Sequence, residues 1–308
     1  PLHRLSGGVA GLLLCVALLG AAPDPVPVAA QDNPSESTAG AASAPTLRSP
    51  DWTAMPGSVP PPELTARSAV LVEAGSRTVL YGHNPHLVIP PASLTKVVAI
   101  DAALAAAGQG TVSLDRRFSP PSESWAENQP PGSSLMFLGP EQELTLWELL
   151  AGLAISSGND AAVALAVLLD GGVPAFARRM NARSRELGLT DLYFVEPSGL
   201  SPQNTITAHA FARFVLAHIQ RFPWTLEELY NRTSYTYPDE ENRLSAAARP
   251  PVMQSNRNTL VGTVEGVDGI KTGFIEASGY HLAATAERNG RRLVAIVLGI
   301  DAESHARG

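Results

Sequence analysis

Pro90-Pro91-Ala92-Ser93-Leu94-Thr95-Lys96, running on into Val97-Val98-Ala99-Ile100, is the stretch that decides what this chain becomes. The proline pair biases the backbone before it toward an extended form, and from Ser93 an apolar helical period predicts a helix over 93–107. Three residues apart on one helix means one face, so Ser93 and Lys96 come within hydrogen-bond reach. A desolvated amine with a lowered pKa could then take the hydroxyl proton, and the positive end of the helix would favour an oxyanion beside it. The plainer alternative is that Ser93 caps the helix and Lys96 is solvated; Ser-x-x-Lys alone is a weak signal.

Of the 22 lysines and arginines only Lys96 and Lys271 are lysines, and lysine can lose its proton where arginine cannot. Lys271 sits in Lys271-Thr272-Gly273, at the end of an apolar strand over 267–270, where Gly273 permits close backbone approach and Lys271 offers a fixed cation. The alternative there is an edge-strand lysine that discourages aggregation. Ser157-Gly158-Asn159 falls between two apolar helical runs and could push a hydroxyl and an amide into a cleft; its alternative is a helix cap. Each motif has a bland explanation singly. The three together, on a helix start, an inter-helix loop and a strand, make a strong signal.

Strand-forming segments enclose this helical middle. Residues 68–73 and 78–81 flank Ala74-Gly75-Ser76 as a hairpin, and 281–287 and 292–298 flank Asn289-Gly290, the pair that most readily takes two positive φ angles. Further helices are predicted over 144–155, 160–169, 174–187 and 207–219. Two strand-forming ends that pair into one sheet, with a helical lobe inserted, give an α/β (α+β) fold with a cleft between sheet and helices.

The chain has 308 residues, 44% hydrophobic and 17% charged, enough for one large core or two lobes around a cleft. A net charge of −7 gives no footprint for nucleic acid. Residues 1–30 read as a signal peptide, with His3 and Arg4 before an apolar run and Val28-Ala29-Ala30 as a cleavage site; an uncleaved anchor is the alternative. Cys15, the one cysteine, lies inside it, so the mature chain carries no thiol and thiol catalysis is excluded. Residues 31–63, rich in Pro, Ala and Ser, read as a flexible leader, with structure beginning near Arg67. The domain is expected over 64–300, with a tail over 301–308. His83 and His86 read as a surface-loop pair rather than metal ligands, and Trp125 and Trp147 as packing residues. No metal or cofactor is implied.

The ordered set Ser-x-x-Lys, Ser-x-Asn, Lys-Thr-Gly matches the signature of penicillin-binding proteins and serine β-lactamases, with Gly158 where that signature has Asp. The chain resembles the low-molecular-mass D-alanyl-D-alanine carboxypeptidases and related endopeptidases, the S11 peptidases. The resemblance runs over about 64–299, through residues 91–96, 132–138, 157–161, 256–258 and 266–273. It implies a five-stranded antiparallel sheet with a helical subdomain, and cleavage of peptidoglycan stem peptides. It also implies acylation by β-lactams and export to the periplasm or cell envelope of a bacterium. Membrane contact is expected only through an uncleaved signal or a C-terminal segment beyond this chain.

By the same resemblance Ser93 is the nucleophile, Lys96 its base and Ser157 a proton relay. Asn159 holds the substrate amide, Lys271, Thr272 and Gly273 form the far wall, and Arg257 faces a terminal carboxylate. The N–H groups of Ser93 and Phe274 form the oxyanion hole. Two features depart from the family pattern: Val195-Glu196-Pro197-Ser198-Gly199 is only loosely like the usual loop, and Ala210 replaces an aspartate. The chain stops soon after Gly299, without the second domain and terminal anchor of many carboxypeptidases, and begins at Pro1, as an incomplete gene product would. The leading expectation is a carboxypeptidase and the runner-up a D,D-endopeptidase. A serine β-lactamase, with Glu227 as nearest candidate for activating water, and a silent peptidoglycan-binding module are the remaining alternatives.

Overall fold

A computed structural model describes residues 43–48 and 64–301; the expected signal peptide, most of the leader and the tail beyond Asp301 lie outside the described residues. The main sheet has five antiparallel strands: β1 (Ser68–Glu73), β2 (Thr78–His83), β7 (Val267–Ile275), β8 (Gly279–Arg288) and β9 (Arg291–Ile300), in the order β2-β1-β9-β8-β7. Two small two-stranded pairs stand apart from it, β3 (Arg117–Phe118) with β4 (Leu144–Thr145), and β5 (Ser234–Thr236) with β6 (Met253–Ser255). The β8–β9 turn is the two-residue Asn289-Gly290 loop, both residues at positive φ (51° and 71°), which matches the twist of the flanking strands.

Both faces of the sheet are covered. Along β9 the side chains alternate between two cores: Val294, Ile296 and Leu298 face the helices, while Leu293, Ala295 and Val297 face the other side with Leu71 and Leu282. Burial on both faces is why that strand reads as a continuous apolar run rather than as an alternation.

The helical lobe contains α1 (Thr95–Gly108), α2 (Leu146–Ala151), α3 (Asn159–Asp170), α4 (Val173–Glu186) and α5 (Ala208–Arg221). Helix α1 is its axle, with Thr95, Lys96, Val97, Val98, Ala99 and Ile100 buried all round. Helix α5 lies on β1 and β9, starting at Thr207, whose side chain accepts from the Ala210 N–H at 3.2 Å. Within the lobe, Asp101 of α1 is wholly buried and accepts from Arg183 Nε of α4 at 2.6 Å. The ring of His218 on α5 lies 2.9 Å from its other oxygen and 3.0 Å from the Tyr230 hydroxyl. One carboxylate thus links three helices to the 226–230 turn beneath β7, with its charge compensated by the guanidinium.

Three expectations are corrected by the fold. Ser93 stands in a 3₁₀ turn, Ala92–Leu94, ahead of α1 rather than in the helix, and no side chain caps α1. The run over 144–155 is three elements: β4, then α2 behind a capping box of Thr145 and Glu148, then a π-type turn Gly152–Ser156. Structure also begins before Arg67. Within the expected leader, Ala44 N–H donates to Leu187 O at 2.8 Å, Arg213 Nε donates to Pro45 O at 2.9 Å, and Arg48 bridges Thr78 on the edge of β2. An open strand edge and unpaired carbonyls at the end of α4 supply those partners, so composition alone misjudged the segment.

Candidate active site

The 3₁₀ turn, the loop over 157–159 and β7 converge around Lys96 and Ser93. Lys96, the second residue of α1, is wholly buried. Its Nζ donates to Asn159 Oδ1 at 2.8 Å and to the Ser198 carbonyl at 2.5 Å, and lies 3.0 Å from Ser93 Oγ. A neutral amine has two N–H groups and one lone pair; with both N–H groups taken by fixed acceptors, the lone pair is left for the serine hydroxyl. Burial pulls the Lys96 pKa down to about 7, against the opposing pull of the Glu196 and Asp160 carboxylates. A solvated lysine is therefore not what the chain contains. The arrangement can take a proton from Ser93 near neutral pH.

Ser157 closes the π-type turn at φ 61°, ψ 34°, a left-handed conformation rarely held by a non-glycine residue, and is nearly buried. Neither Ser157 nor Asn159 caps α3: Gly158 holds the cap position without a side-chain bond, and Asn159 Oδ1 accepts from Lys96. The geometry explains Gly158. A Cβ there would stand 2.6 Å from Asp160 Oδ1 and 2.9 Å from Met136 N. Asp160 accepts from the N–H groups of Met136, Phe137 and Leu138 at 2.8, 2.8 and 3.0 Å, and so nails the 136–138 segment to α3; Asn159 N–H adds a bond to Ser134 O at 2.8 Å.

The Lys271-Thr272-Gly273 triplet lies in the interior of β7, which continues to Ile275, and not at the end of a strand. It is on the sheet edge, yet Lys271 is about 1% exposed, so it is no solvent-facing gatekeeper. Burial lowers its pKa well below the usual lysine range, with Lys96 and Arg257 adding like-charge repulsion. A Cβ on Gly273 would meet Ser93 N at 2.9 Å, which is how closely β7 passes the serine turn. That contact brings the backbone on either side of Gly273, Thr272 and Phe274, alongside Ser93 N. Phe274 is about half exposed, its ring 4.4 Å from that of Tyr280. Arg257 is exposed, in a loop anchored by Asn256, whose side chain donates to Tyr230 O and Arg232 O, and by Asn256 Oδ1 accepting from Asn258 N.

Sequence reasoning missed two acids. Glu196 organises the 196–201 loop: it accepts from Ser198 N at 2.6 Å, Gly199 N at 2.8 Å, Ser201 N at 3.2 Å and Asn204 Nδ2 at 2.9 Å. Those bonds aim the Ser198 carbonyl at Lys96. Gly199, at φ 87°, presses so close to Ala92 that a Cβ would fall 2.0 Å from its carbonyl oxygen. The loop set aside as loosely patterned is thus part of the site, and an acid next to a Pro-Ser-Gly turn was the available signal. Asp160 was legible only as the neighbour of Asn159. Glu227, by contrast, lines a cavity of about 580 Å³ with Asp268 and Arg292 whose walls include none of the candidate residues.

A family model described as D-alanyl-D-alanine carboxypeptidase, Peptidase S11, matches residues 55–302. The chain belongs to the S11 peptidase family. D-alanyl-D-alanine carboxypeptidase DacF of Bacillus subtilis is 33% identical over 76% of this chain and 57% of its own length, and DacA of Haemophilus influenzae is 33% identical over 79% and 59%. The chain thus spans under two thirds of these S11 relatives. Among solved structures, penicillin-binding protein 5 of Haemophilus influenzae superposes with a TM-score of 0.72 at 31% identity, covering 80% of this chain and 69% of that one. The ampicillin-bound penicillin-binding protein D2 of Listeria monocytogenes gives 0.67 at 26% identity, covering 79% and 94%. The S11 fold is therefore the one observed here: a five-stranded antiparallel sheet with a helical subdomain.

Proposed function

We propose that the chain is a serine-type D-Ala-D-Ala carboxypeptidase that trims peptidoglycan stem peptides through an acyl-serine intermediate and is acylated by penicillin. The observation that carries this reading is the buried Lys96 amine, with its lone pair directed at Ser93 Oγ and a pKa brought near neutrality. Ser93 attacks the carbonyl of the penultimate D-alanine while Lys96 takes its proton. The N–H groups of Ser93 and Phe274 receive the oxyanion. The leaving D-alanine amine is protonated from the Lys96 and Ser157 side, and water then hydrolyses the ester. Asn159 holds the stem-peptide amide, Lys271 and Thr272 wall the far side, and Arg257 meets the terminal carboxylate. The names of the relatives and the β-lactam-bound neighbours support the substrate class and the acylation. An exported enzyme of the bacterial periplasm or cell envelope follows from that substrate.

The test is Arg257→Ala. The wild type should prefer diacetyl-Lys-D-Ala-D-Ala over its C-terminal amide, and the variant should lose roughly ten- to a thousandfold in kcat/KM on the free acid only. A D,D-endopeptidase is the second reading, favoured by the Escherichia coli D-alanyl-D-alanine endopeptidase, 28% identical over 77% of this chain and 72% of its own length. Faster cleavage of cross-linked dimers than of free pentapeptides would replace the first reading with the second.

A further inference from the structure

The register between β8 and β9 breaks at one place. Tyr280 pairs with Ile300 and His281 with Leu298, so Gly299, at φ 75°, is the extra residue of a bulge. Its carbonyl accepts from Arg67 N–H at 3.2 Å, on the β1 side. Its buried N–H needs an acceptor of its own, and the His281 ring supplies one: Gly299 N–H donates to Nδ1 at 3.1 Å. The other ring nitrogen, Nε2, lies 2.8 Å from the Ser278 hydroxyl in the β7–β8 turn. Both side chains are buried.

These bonds fix the tautomer. A backbone N–H can only donate, so Nδ1 carries a lone pair, the proton of the neutral ring sits on Nε2, and Nε2 donates to Ser278 Oγ. Burial, with the Arg67 charge adding to it, holds the His281 pKa down to about 4, which keeps the ring neutral. The ring therefore has no lone pair for the serine, and the couple is not a second nucleophile with its base. One imidazole instead ties the tip of the β7–β8 hairpin, through Ser278, to the bulge in β9.

That tip borders the reacting serine. His281 lies opposite Gly273, and Tyr280 opposite Phe274. Directly opposed residues send their side chains to one face of a sheet, and on that face a Cβ at Gly273 would stand 2.9 Å from Ser93 N. Strand β7 is at the sheet edge with β8 as its neighbour, so the hairpin sets where the Phe274 N–H stands relative to the Ser93 N–H. The bulge loosens β8 from β9 at the same level. We propose that His281, accepting from Gly299 and donating to Ser278, is a positioning residue that holds this hairpin against the serine turn and keeps the Phe274 N–H aimed at the oxyanion, an inference that rests on the D,D-peptidase reading.

The test is the saturation kinetics of acylation by a fluorescent penicillin, which separates non-covalent affinity, the first-order acylation constant and the fraction of protein labelled. His281→Phe keeps a ring and removes both hydrogen bonds. It should lower the acylation constant about ten- to a hundredfold, less than outright loss of an oxyanion donor, with affinity within about twofold and the labelled fraction unchanged. His281→Asn keeps an acceptor at the place of Nδ1 but is too short for Ser278, and Ser278→Ala removes the same bond from the other side. These two should agree within about twofold and fall between wild type and His281→Phe. Ser278→Ala changes the packing least, so it carries the test where His281→Phe does not fold. Wild-type acylation constants in Ser278→Ala and His281→Asn, or losses confined to the labelled fraction or to affinity, would overturn the proposal. If wild type forms no adduct at all, the peptidase reading falls, and hydrogen exchange over 273–280 decides the hairpin tie: it should quicken about tenfold in Ser278→Ala relative to 282–288, and equal exchange would overturn it.

Discussion

Acylation of Ser93 should rise with pH through about 7, because only the neutral form of Lys96 has a lone pair to offer. With a pKa of about 7, roughly half the enzyme is competent at pH 7 and about one molecule in a hundred at pH 5, so the second-order acylation constant should fall about fiftyfold between them. Had Lys96 kept the ordinary value of 10.5, about one molecule in three thousand would be competent at pH 7. Burial of the amine is thus worth about three orders of magnitude in active fraction. Lys96→Arg keeps the charge and loses the ability to deprotonate, so it should acylate at least a thousandfold more slowly at every pH. The assay is stopped-flow or quenched labelling with a fluorescent penicillin from pH 5 to 8.5, read as ester formed per enzyme and absent in Ser93→Ala. A flat profile over that range, or wild-type acylation by Lys96→Arg, would refute the assignment of Lys96 as base.

Lys96→Met should abolish labelling and flatten the rise of thermal stability with pH above 7. A lysine pKa lowered on folding means the unfolded chain holds a proton that the folded one releases between about pH 7 and 10.5, so stability increases with pH across that window and the full cost, roughly 4–5 kcal/mol, is present at and below pH 7. Methionine removes that titration while orphaning the Asn159 and Ser198 acceptors at about 1–3 kcal/mol each, so the variant's melting point should not climb between pH 7 and 9 as the wild type's does; a variant as pH-dependent as wild type would count against it. Gly158→Asp, which restores the residue found in the common motif, should cost about 3 kcal/mol and slow acylation, because the new Cβ displaces Asp160 from the Met136 and Ala161 N–H groups; a neutral melt and wild-type labelling would show that this anchor is dispensable. The penicilloyl ester should outlast many minutes, since both oxygens of Glu196, a carboxylate near Lys96, are already occupied by N–H donors and are not free to activate water. Rapid nitrocefin turnover would contradict that.

Local chemistry was legible in the chain wherever it acts over a few residues. The three-residue step from Ser93 to Lys96, the Asn289-Gly290 turn and the apolar run of β9 each follow from backbone geometry, and the structure gathers Ser93, Asn159, Lys271 and Gly273 around Lys96 and its serine turn, with Ser157 two residues before Asn159. Arg257 and Phe274 are more exposed than the rest. The loop over 196–201 was undervalued because its worth is not local: Ser198 meets a lysine 102 residues away in sequence. The 43–48 segment was misjudged for the same reason, since a Pro/Ala/Ser composition says nothing about an open strand edge elsewhere that will pair with it.

What the chain alone determined is which groups are available: one serine and one lysine at helical spacing, a second lysine on a strand, and glycines where backbones must touch. Only the tertiary structure decided what those groups are. Burial of Lys96 beneath Asn159 and Ser198 turns a residue that water would keep charged into an amine poised near neutrality, and desolvation is a property of the whole surrounding fold, not of any neighbouring residue in the sequence.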